Sequence, residues 1–261
     1  MNIEFVGYAL ALLVGISLGL IGSGGSILTV PILVYILKIE PFLATAYSLF
    51  IVGSTALVGG LQNAVNRKVN YKLVLLFGIP SLLAVYVMRA FVLPLVPDAF
   101  VFGPFSLSKN VLLMVLFALV MFASSMKMIR PKAITSKIAQ PQQSKLILQG
   151  VLIGIIAGTV GAGGGFLIIP ALVLFANSSM KEAVGTSLFI VAIQSLIGFL
   201  GDIKNPLIDW NLLLTFSGIS IAGIFLGIFL TRYIPDNNLK KGFGYFVLLM
   251  ALYIFSKEVF F

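Results

Sequence analysis

The chain has 261 residues, of which 60% are hydrophobic and only 10% are charged, and its formal net charge is +9. A soluble domain is about half apolar and about a quarter charged, so this chain cannot bury its apolar side chains in a water-soluble core. The composition predicts an all-α polytopic membrane protein. The sequence has no Cys and no His, which argues against thiol chemistry, His-ligated haem and the usual zinc sites. We therefore expect a protein that is not an enzyme and has no cofactor, no metal and no nucleic-acid partner.

Apolar segments fill nearly the whole chain. A helix needs about 20 residues to cross a bilayer, and two segments, 27–38 and 166–176, are too short to cross alone. Each directly follows a glycine cluster, so we expect two glycine-broken hairpins, at 5–38 and 144–176, each followed by three single crossings. In chain order the apolar segments are 5–21, 27–38, 42–62, 73–95, 110–129, 146–160, 166–176, 180–201, 210–231 and 243–256.

The first half of the chain, from Gly15 to Ser81, is repeated in the second half without a gap, and the halves diverge after that. The stretch GLIGSGGSILTVP at 19–31 returns 139 residues later as GTVGAGGGFLIIP at 158–170, and SLFIV at 48–52 returns at 187–191 in the same register. Shared apolar composition would not align glycines, a proline and a five-residue identity, so the pattern indicates an internal duplication. We divide the chain into a first transmembrane repeat (1–129), a basic cytoplasmic connecting loop (130–145) and a second transmembrane repeat (146–261).

The positions of Lys and Arg predict that the repeats are inverted. Loop 63–72 has three basic residues, whereas the equivalent loop 202–211 has one Lys beside two Asp. Loop 127–145 has five basic residues and loop 232–241 has three. Because basic loops stay on the cytoplasmic side, the three basic loops face inside and 202–211 faces outside. The repeats would instead be parallel if each hairpin were one long broken crossing.

The glycines of the motif fall into two groups. Those spaced four apart form the small-xxx-small pattern that lets membrane helices approach closely; they are Gly15, Gly19, Gly150, Gly154 and Gly158. Consecutive glycines instead permit backbone conformations closed to other residues and break the helix. We expect the next helix to begin after the break, with Ser23 or Ser26 as a cap in the first repeat and Pro31 and Pro170 near its first turn.

Two free helix N-termini preceded by glycine loops would form an anion site built from backbone dipoles. A P-loop is a poor alternative, because neither motif is followed by Lys-Ser or Lys-Thr. Many secondary transporters place broken helices of inverted repeats around a midplane site. We expect hydroxyls and an amide on the following helices to line that site, although such hydroxyls often bond to their own helix. The candidate substrate-binding residues are Gly22, Ser23, Gly24, Gly25, Ser26, Ser48, Gly161, Ala162, Gly163, Gly164, Gly165, Thr186, Ser187 and Gln194.

Two charged residues lie near the ends of apolar segments. For Arg89 we expect the side chain to snorkel to the membrane surface, with a role as an anion relay as the alternative. Asp202, which is equivalent to Asn63 in the first repeat, could carry protons, but we expect a solvated loop carboxylate.

These motifs resemble a known family. GLIGSGGSILTVPIL and GTVGAGGGFLIIPAL, followed by ATAYSLFIV and AVGTSLFIV, together with Asp-Trp at 209–210, resemble the sulfite exporter TauE/SafE family, also known as the four-toluene-sulfonate uptake permeases. The resemblance covers both repeats. It implies a polytopic carrier of sulfite, sulfonates, sulfoacetate or thiosulfate, driven by the membrane potential or by protons. The first repeat departs at 46–48, where Ala-Tyr-Ser stands in place of the Gly-Thr-Ser at 185–187.

We therefore expect a secondary transporter of a small sulfur-containing anion, working as an exporter by alternating access in the cell (inner) membrane. Protons are the expected coupling ion and the lipid bilayer the surroundings; whether the protein is a homodimer stays open. Three alternatives remain: an ion channel, a cation exchanger and a non-transporting membrane assembly subunit. A channel or exchanger for cations would predict carboxylates deep in the membrane, and the sequence has none outside loops and segment ends.

Overall fold

The computed structural model describes residues 3–102, 105–129, 143–176, 178–203, 206–230 and 236–260. Nearly all of these residues are helical, which confirms the predicted all-α polytopic fold. Within the described part of the chain, six helices are long and apolar enough to cross a membrane. Two shorter apolar helices, Val6–Ile21 and Ser26–Ile36, form the first predicted hairpin. The predicted connecting loop lies mostly outside the described residues, and the helix after it begins at Gln143.

Five helices from each half correspond in order, so that α1 is equivalent to α6 and α5 to α10. The first half contains α1 (Ile3–Ile21), α2 (Ser26–Ile36), α3 (Pro41–Val65), α4 (Tyr71–Leu95) and α5 (Lys109–Ile129). The second half contains α6 (Gln143–Val160), α7 (Gly165–Phe175), α8 (Met180–Leu200), α9 (Trp210–Leu230) and α10 (Asp236–Phe260).

A short antiparallel hairpin stands in the longer connection between α4 and α5. Strand β1 (Ala99–Phe102) pairs with β2 (Phe105–Ser108). The sequence analysis did not predict these strands, although their aromatic and β-branched residues favour extended backbone. The hairpin lies outside the spanning helices and leaves the fold class unchanged.

Prolines modify several helices. A π-helical turn follows Pro31 (Ile32–Ile36), and two more lie in α4 ahead of Pro80 and Pro94. Proline removes one helical N–H donor, and in α4 each wider π-turn includes the carbonyl that lost its donor. The expectation that these prolines lie near the first turn is wrong, because Pro170 lies inside α7 on its second turn, and Pro31 has the same place in α2.

Helices of one repeat pack on helices of the other in equivalent pairs. Helix α1 packs on α9, and its equivalent α6 packs on α4. Gly15 and Gly19 meet the backbone of α9, and their equivalents Gly154 and Gly158 meet α4. A methyl group at Gly19 would lie 2.5 Å from the carbonyl oxygen of Ile224, so glycine is required for this approach. The packing role predicted for the spaced glycines is confirmed.

The contacts also give the directions of the helices. Gly53 of α3 lies against Leu196 of α8, and Gly60 lies against Phe189. As residue numbers rise on one helix they fall on the other, so the equivalent helices α3 and α8 run antiparallel. The main core lies around these two helices. In the first hairpin Gly7 lies against the side chain of Leu37, so the chain folds back beside α1.

Candidate functional site

The two glycine loops, 22–26 and 161–165, are in direct contact. The Ser23 hydroxyl lies 3.1 Å from the carbonyl oxygen of Gly165 and 2.7 Å from the hydroxyl of Ser187. Gly165 is packed so closely on Ser23 that a side chain at that glycine would overlap the serine backbone. Both serines are fully buried. The duplicated motif therefore brings its two copies together inside the protein.

The second loop has an unusual backbone. Gly161, Gly163 and Gly164 have φ angles of +73°, +66° and +64°, a region that side chains disfavour. Gly164 is the N-cap of α7, which begins at Gly165. The first N–H groups of a helix have no partner within it, and the helix dipole makes them attractive to anions. This loop has the backbone required for an oxyanion site.

The first loop is more regular. Gly22 has a φ of +70°, and the chain then continues as a 3-10 helix from Gly22 to Leu28 that also contains Gly24 and Gly25. The Ser26 hydroxyl donates to the carbonyl of Ser23 at 2.9 Å. The expected serine cap is wrong, because the N-cap of this helix is Ile21 and makes no side-chain capping bond.

Gln194 holds the second loop in place. Its amide nitrogen donates to the carbonyl oxygen of Gly163, and its amide oxygen accepts from the Ser81 hydroxyl of α4 at 2.7 Å. Its equivalent, Thr55, bonds instead to the carbonyl of Ile51 in its own helix. Gln194 thus links α8, α4 and the second glycine loop.

Two buried hydroxyls beside the second loop have no partner among the residues that the structure describes. On α3, Thr45 contacts Gly161 and Val52 contacts Gly163, and Ser48 lies between them on the same helical face. Within the described part of the chain, the Ser48 hydroxyl has no hydrogen-bond partner. The same holds for Ser195 of α8, whose oxygen lies 2.8 Å from where a methyl group at Gly163 would be.

The duplication explains the unpartnered Ser48. Ser23 of the first loop bonds to Ser187 of α8. At the equivalent position of the second loop Ala162 replaces the first serine, so this position has no hydroxyl to bond with Ser48. An unpaired buried hydroxyl costs about 1–3 kcal/mol. Ser195 was not predicted; its only signal is that Ala56 stands at the equivalent position.

Thr186 has a structural partner. Its hydroxyl accepts the backbone N–H of Asn70, 2.9 Å away, just before α4 begins. At the equivalent place the Tyr47 hydroxyl accepts the N–H of Asp209 at 2.5 Å. These bonds anchor the first turns of α4 and α9 to α8 and α3.

The expectations for Arg89 and Asp202 are wrong. The Arg89 side chain is 0% exposed and does not snorkel, and Asp202 is 6% exposed. They form an ion pair, with Nη1 of Arg89 3.5 Å from Oδ2 of Asp202. Burial raises the pKa of the Asp202 carboxyl above its ordinary value, and the positive charges of Arg89 and Lys109 oppose this rise. The sequence analysis missed the pair because the two residues are far apart in the chain.

Neither of two small cavities reaches the loops. The larger, of about 140 Å³, is lined by polar residues and one aromatic ring near the start of α5, and the smaller is apolar and lies between α4 and α8. The residues lining the larger cavity are Glu40, Phe42, Asp98, Lys109 and Asn110. The loop residues whose burial is described, Gly22, Ser23, Ser26 and 161–165, are all buried, so the glycine loops are enclosed in this conformation.

The chain is similar to membrane transporters over most of its length. The family model described as sulfite exporter TauE/SafE matches residues 8–254. A probable membrane transporter protein of Xylella fastidiosa (strain 9a5c) is 30% identical over 251 residues, which is 93% of this chain and 91% of the relative. One from Haemophilus influenzae is 28% identical, covering 94% and 95% of the two chains. One from Methanocaldococcus jannaschii is 36% identical over 42% of this chain and 43% of its own length.

No solved structure matches the chain. The family match extends over nearly the whole length, includes both glycine loops and accompanies the multi-pass helical fold described above. The chain therefore belongs to the sulfite exporter TauE/SafE family of membrane transporters.

Proposed function

We propose that this protein is a secondary transporter that exports a small sulfur-containing anion, such as sulfite, a sulfonate, sulfoacetate or thiosulfate, across the cell (inner) membrane. The observation that carries the proposal is the environment of the second glycine loop. There a helix N-terminus formed by left-handed glycines faces two buried hydroxyls, Ser48 and Ser195, that have no partner among the described residues. The description of the family supports sulfur anions as the substrate class.

The chemistry of the loop suits an oxyanion. Backbone N–H groups at a helix N-terminus and serine hydroxyls donate hydrogen bonds, and together they offset the loss of water around the anion. The carbonyl of Gly163 accepts from Gln194 and the N–H of Gly161 donates to Ala157, so we assign the anion to the N–H groups at the start of α7. A membrane-embedded site of this kind needs no charged side chain of its own.

We propose that transport occurs by alternating access between inverted repeats. The antiparallel course of the equivalent helices α3 and α8 supports inversion, because parallel repeats would place equivalent helices in the same direction. The loops are enclosed, so the substrate can reach them only if helices move apart. We expect the moving units to be the two equivalent helix pairs, α1 with α9 and α4 with α6. One pair would open the path on one side of the membrane and the other pair on the opposite side.

Transport by purified protein in proteoliposomes tests this function. The panel is sulfite, thiosulfate, sulfoacetate, sulfate, phosphate and potassium, with and without a pH gradient. We expect selective movement of one sulfur anion, and stimulation by the gradient would identify protons as the coupling ion. Potassium flux alone, or no flux of any compound by folded protein, would overturn the proposal.

A further inference from the structure

We infer that Arg89 is a second anion-binding site, where a small oxyanion binds the guanidinium group in exchange for the carboxylate of Asp202. The site lies outside the glycine loops and is defined by its own side chains. The inference that the transported anion binds here on its path rests on the proposed function. The binding itself can be tested without transport.

Arg89 is the most incompletely satisfied buried group in the described part of the chain. Its side chain is fully buried in α4, and its Nε, Nη1 and Nη2 atoms have no hydrogen-bond partner there. The ion pair with Asp202 is 3.5 Å long, and the facing Oδ2 atom is also without a hydrogen bond. Guanidinium has five N–H donors arranged to hold an oxyanion through two parallel bonds. The observed ion pair leaves these N–H donors without hydrogen bonds among the described residues.

The fold does not require this ion pair. Gly198 of α8 packs on Val85 of α4, and one turn further Asp202 meets Arg89. In the other repeat Gly59 packs on Ile224, and one turn further the equivalent residues are Asn63 and Ile228.

Asn63 donates to the carbonyl of Gly59 in its own helix, at 2.8 Å. The same helix contact is thus formed once with an amide and an aliphatic residue at these two positions and once with two buried charges. Because burying an ion pair usually gains little stability over apolar packing, the asymmetric use of charge indicates a role other than folding.

The position of Arg89 connects it to the second glycine loop. The preceding residue, Met88, packs against Gly158 in the last turn before that loop. The Arg89 guanidinium also lies 5.9 Å from the centre of the Phe42 ring. The carbonyl of Phe42 accepts the hydroxyl of Thr45, which in turn contacts Gly161. An anion on Arg89 would therefore lie next to the elements that hold the loop.

Asp202 is a counter-ion of Arg89 that an entering anion can replace. A guanidinium buried without a counter-ion is strongly unfavourable, so the carboxylate holds the site when no anion is present. The groups that face Asp202 are Arg89 from α4 and Lys109 at the start of α5. The Lys109 ammonium donates to the carbonyls of Leu93 and Val96, which leaves Arg89 as the partner that an entering anion would take.

Equilibrium binding in detergent solution at pH 7.5 tests the inference with two probes, radiolabelled thiosulfate and chloride, at constant ionic strength set by gluconate. Asp202→Asn removes the competing carboxylate, and we expect it to bind at least one probe about tenfold more tightly than wild type, since charge-assisted bonds to guanidinium are strong. The matched control is Arg89→Ile with Asp202→Asn, which copies the pair Ile228 and Asn63 and should fold. It should lose all the affinity that Arg89 supplies and bind about tenfold more weakly than wild type.

Equal affinity of Asp202→Asn and the double variant for both probes would overturn the inference. If Asp202→Asn does not fold, wild type is compared with the double variant, which should bind about tenfold more weakly; equal binding again overturns it. The same comparison is then repeated with Gly163→Ala added to each protein. Because this substitution disturbs the second glycine loop and not Arg89, it separates the two proposals. Binding that depends on Arg89 and persists in that background supports the Arg89 site even where transport is lost.

Discussion

The two glycine loops come from one duplicated motif but have different structures. The first loop has a left-handed Gly22 and then continues as a regular 3-10 helix. The second has left-handed glycines at 161, 163 and 164 and an open helix N-terminus. The hydroxyls of the first loop bond to protein atoms, whereas those of Ser48 and Ser195, which face the second loop, have no partner among the described residues.

Four substitutions between the repeats account for this difference. Gly165 replaces Ser26 and allows the loops to touch. Ala162 replaces Ser23 and leaves Ser48 unpaired, while Gln194 and Ser195 replace Thr55 and Ala56 in the facing helix. A duplication produces two equal loops, and these changes then distinguish the first loop from the second, which carries the proposed site. We therefore expect variants of the second loop to affect transport more than matched variants of the first.

The largest effect is expected for Gly163→Ala. The left-handed backbone there costs a non-glycine residue about 1–2 kcal/mol, and the new methyl group would lie 2.8 Å from the Ser195 oxygen. We expect the rate of anion uptake in proteoliposomes to fall about 100-fold, since small displacements of a site have large effects. The control is Gly218→Ala in α9, where no atom lies within 4 Å of the added group. Similar losses in both variants would contradict a special role for the loop.

The second prediction concerns the side chains that hold each loop. Gln194→Leu leaves the Gly163 carbonyl and the Ser81 hydroxyl unpaired, which should lower the free energy of unfolding by about 2–4 kcal/mol and slow uptake about tenfold. Thr55→Val at the equivalent position removes only a bond to its own helix and should cost less than about 1 kcal/mol. Thermal unfolding in detergent and uptake rates measure both. Equal costs would mean that the amide does not support the loop.

The sequence was sufficient for features set by periodicity and the duplication. It predicts the helices, the glycine packing stripes and two loops built from one motif, because each depends on residue types at fixed spacing. The antiparallel strands β1 and β2 and the place of Pro170 inside α7 were not predicted, since tertiary packing decides them. In membrane helices a proline can be accommodated when neighbouring groups satisfy the freed backbone.

The side-chain partners could not be read from the sequence for a related reason. Arg89 and Asp202 pair across the two repeats, and spacing along one helix says nothing about such a contact. An arginine near a helix end usually reaches the membrane surface, so this general rule predicted an exposed Arg89 where the structure has a buried one. The repeat relates Ser23 to Ala162 and Ser187 to Ser48. It could predict that Ser48 lacks the bond made by Ser187 only once the two loops were known to be in contact.

A smaller effect distinguishes a binding hydroxyl from a packing hydroxyl. Ser48→Ala removes a buried hydroxyl that has no partner among the described residues, so the free energy of unfolding should stay equal or rise. If this hydroxyl binds the anion, the apparent affinity in uptake should fall about 2- to 13-fold, which corresponds to one hydrogen bond of about 0.5–1.5 kcal/mol. Ser187→Ala is the matched control, because it removes the bond to Ser23 and should mainly reduce stability, by about 1 kcal/mol. The reverse pattern would place the substrate at the first loop.

The smallest effect is expected from making the second loop resemble the first. Ala162→Ser introduces a hydroxyl opposite Ser48, where the repeat has the bond between Ser23 and Ser187. The new bond should raise the free energy of unfolding by up to about 1 kcal/mol while occupying Ser48, so uptake should show an affinity only about 2- to 5-fold weaker than wild type. Combining Ala162→Ser with Ser48→Ala measures the coupling directly. If both variants act through one hydroxyl, the double variant is no weaker in affinity than Ser48→Ala alone, whereas fully additive losses would mean that the hydroxyl at position 162 acts independently of Ser48.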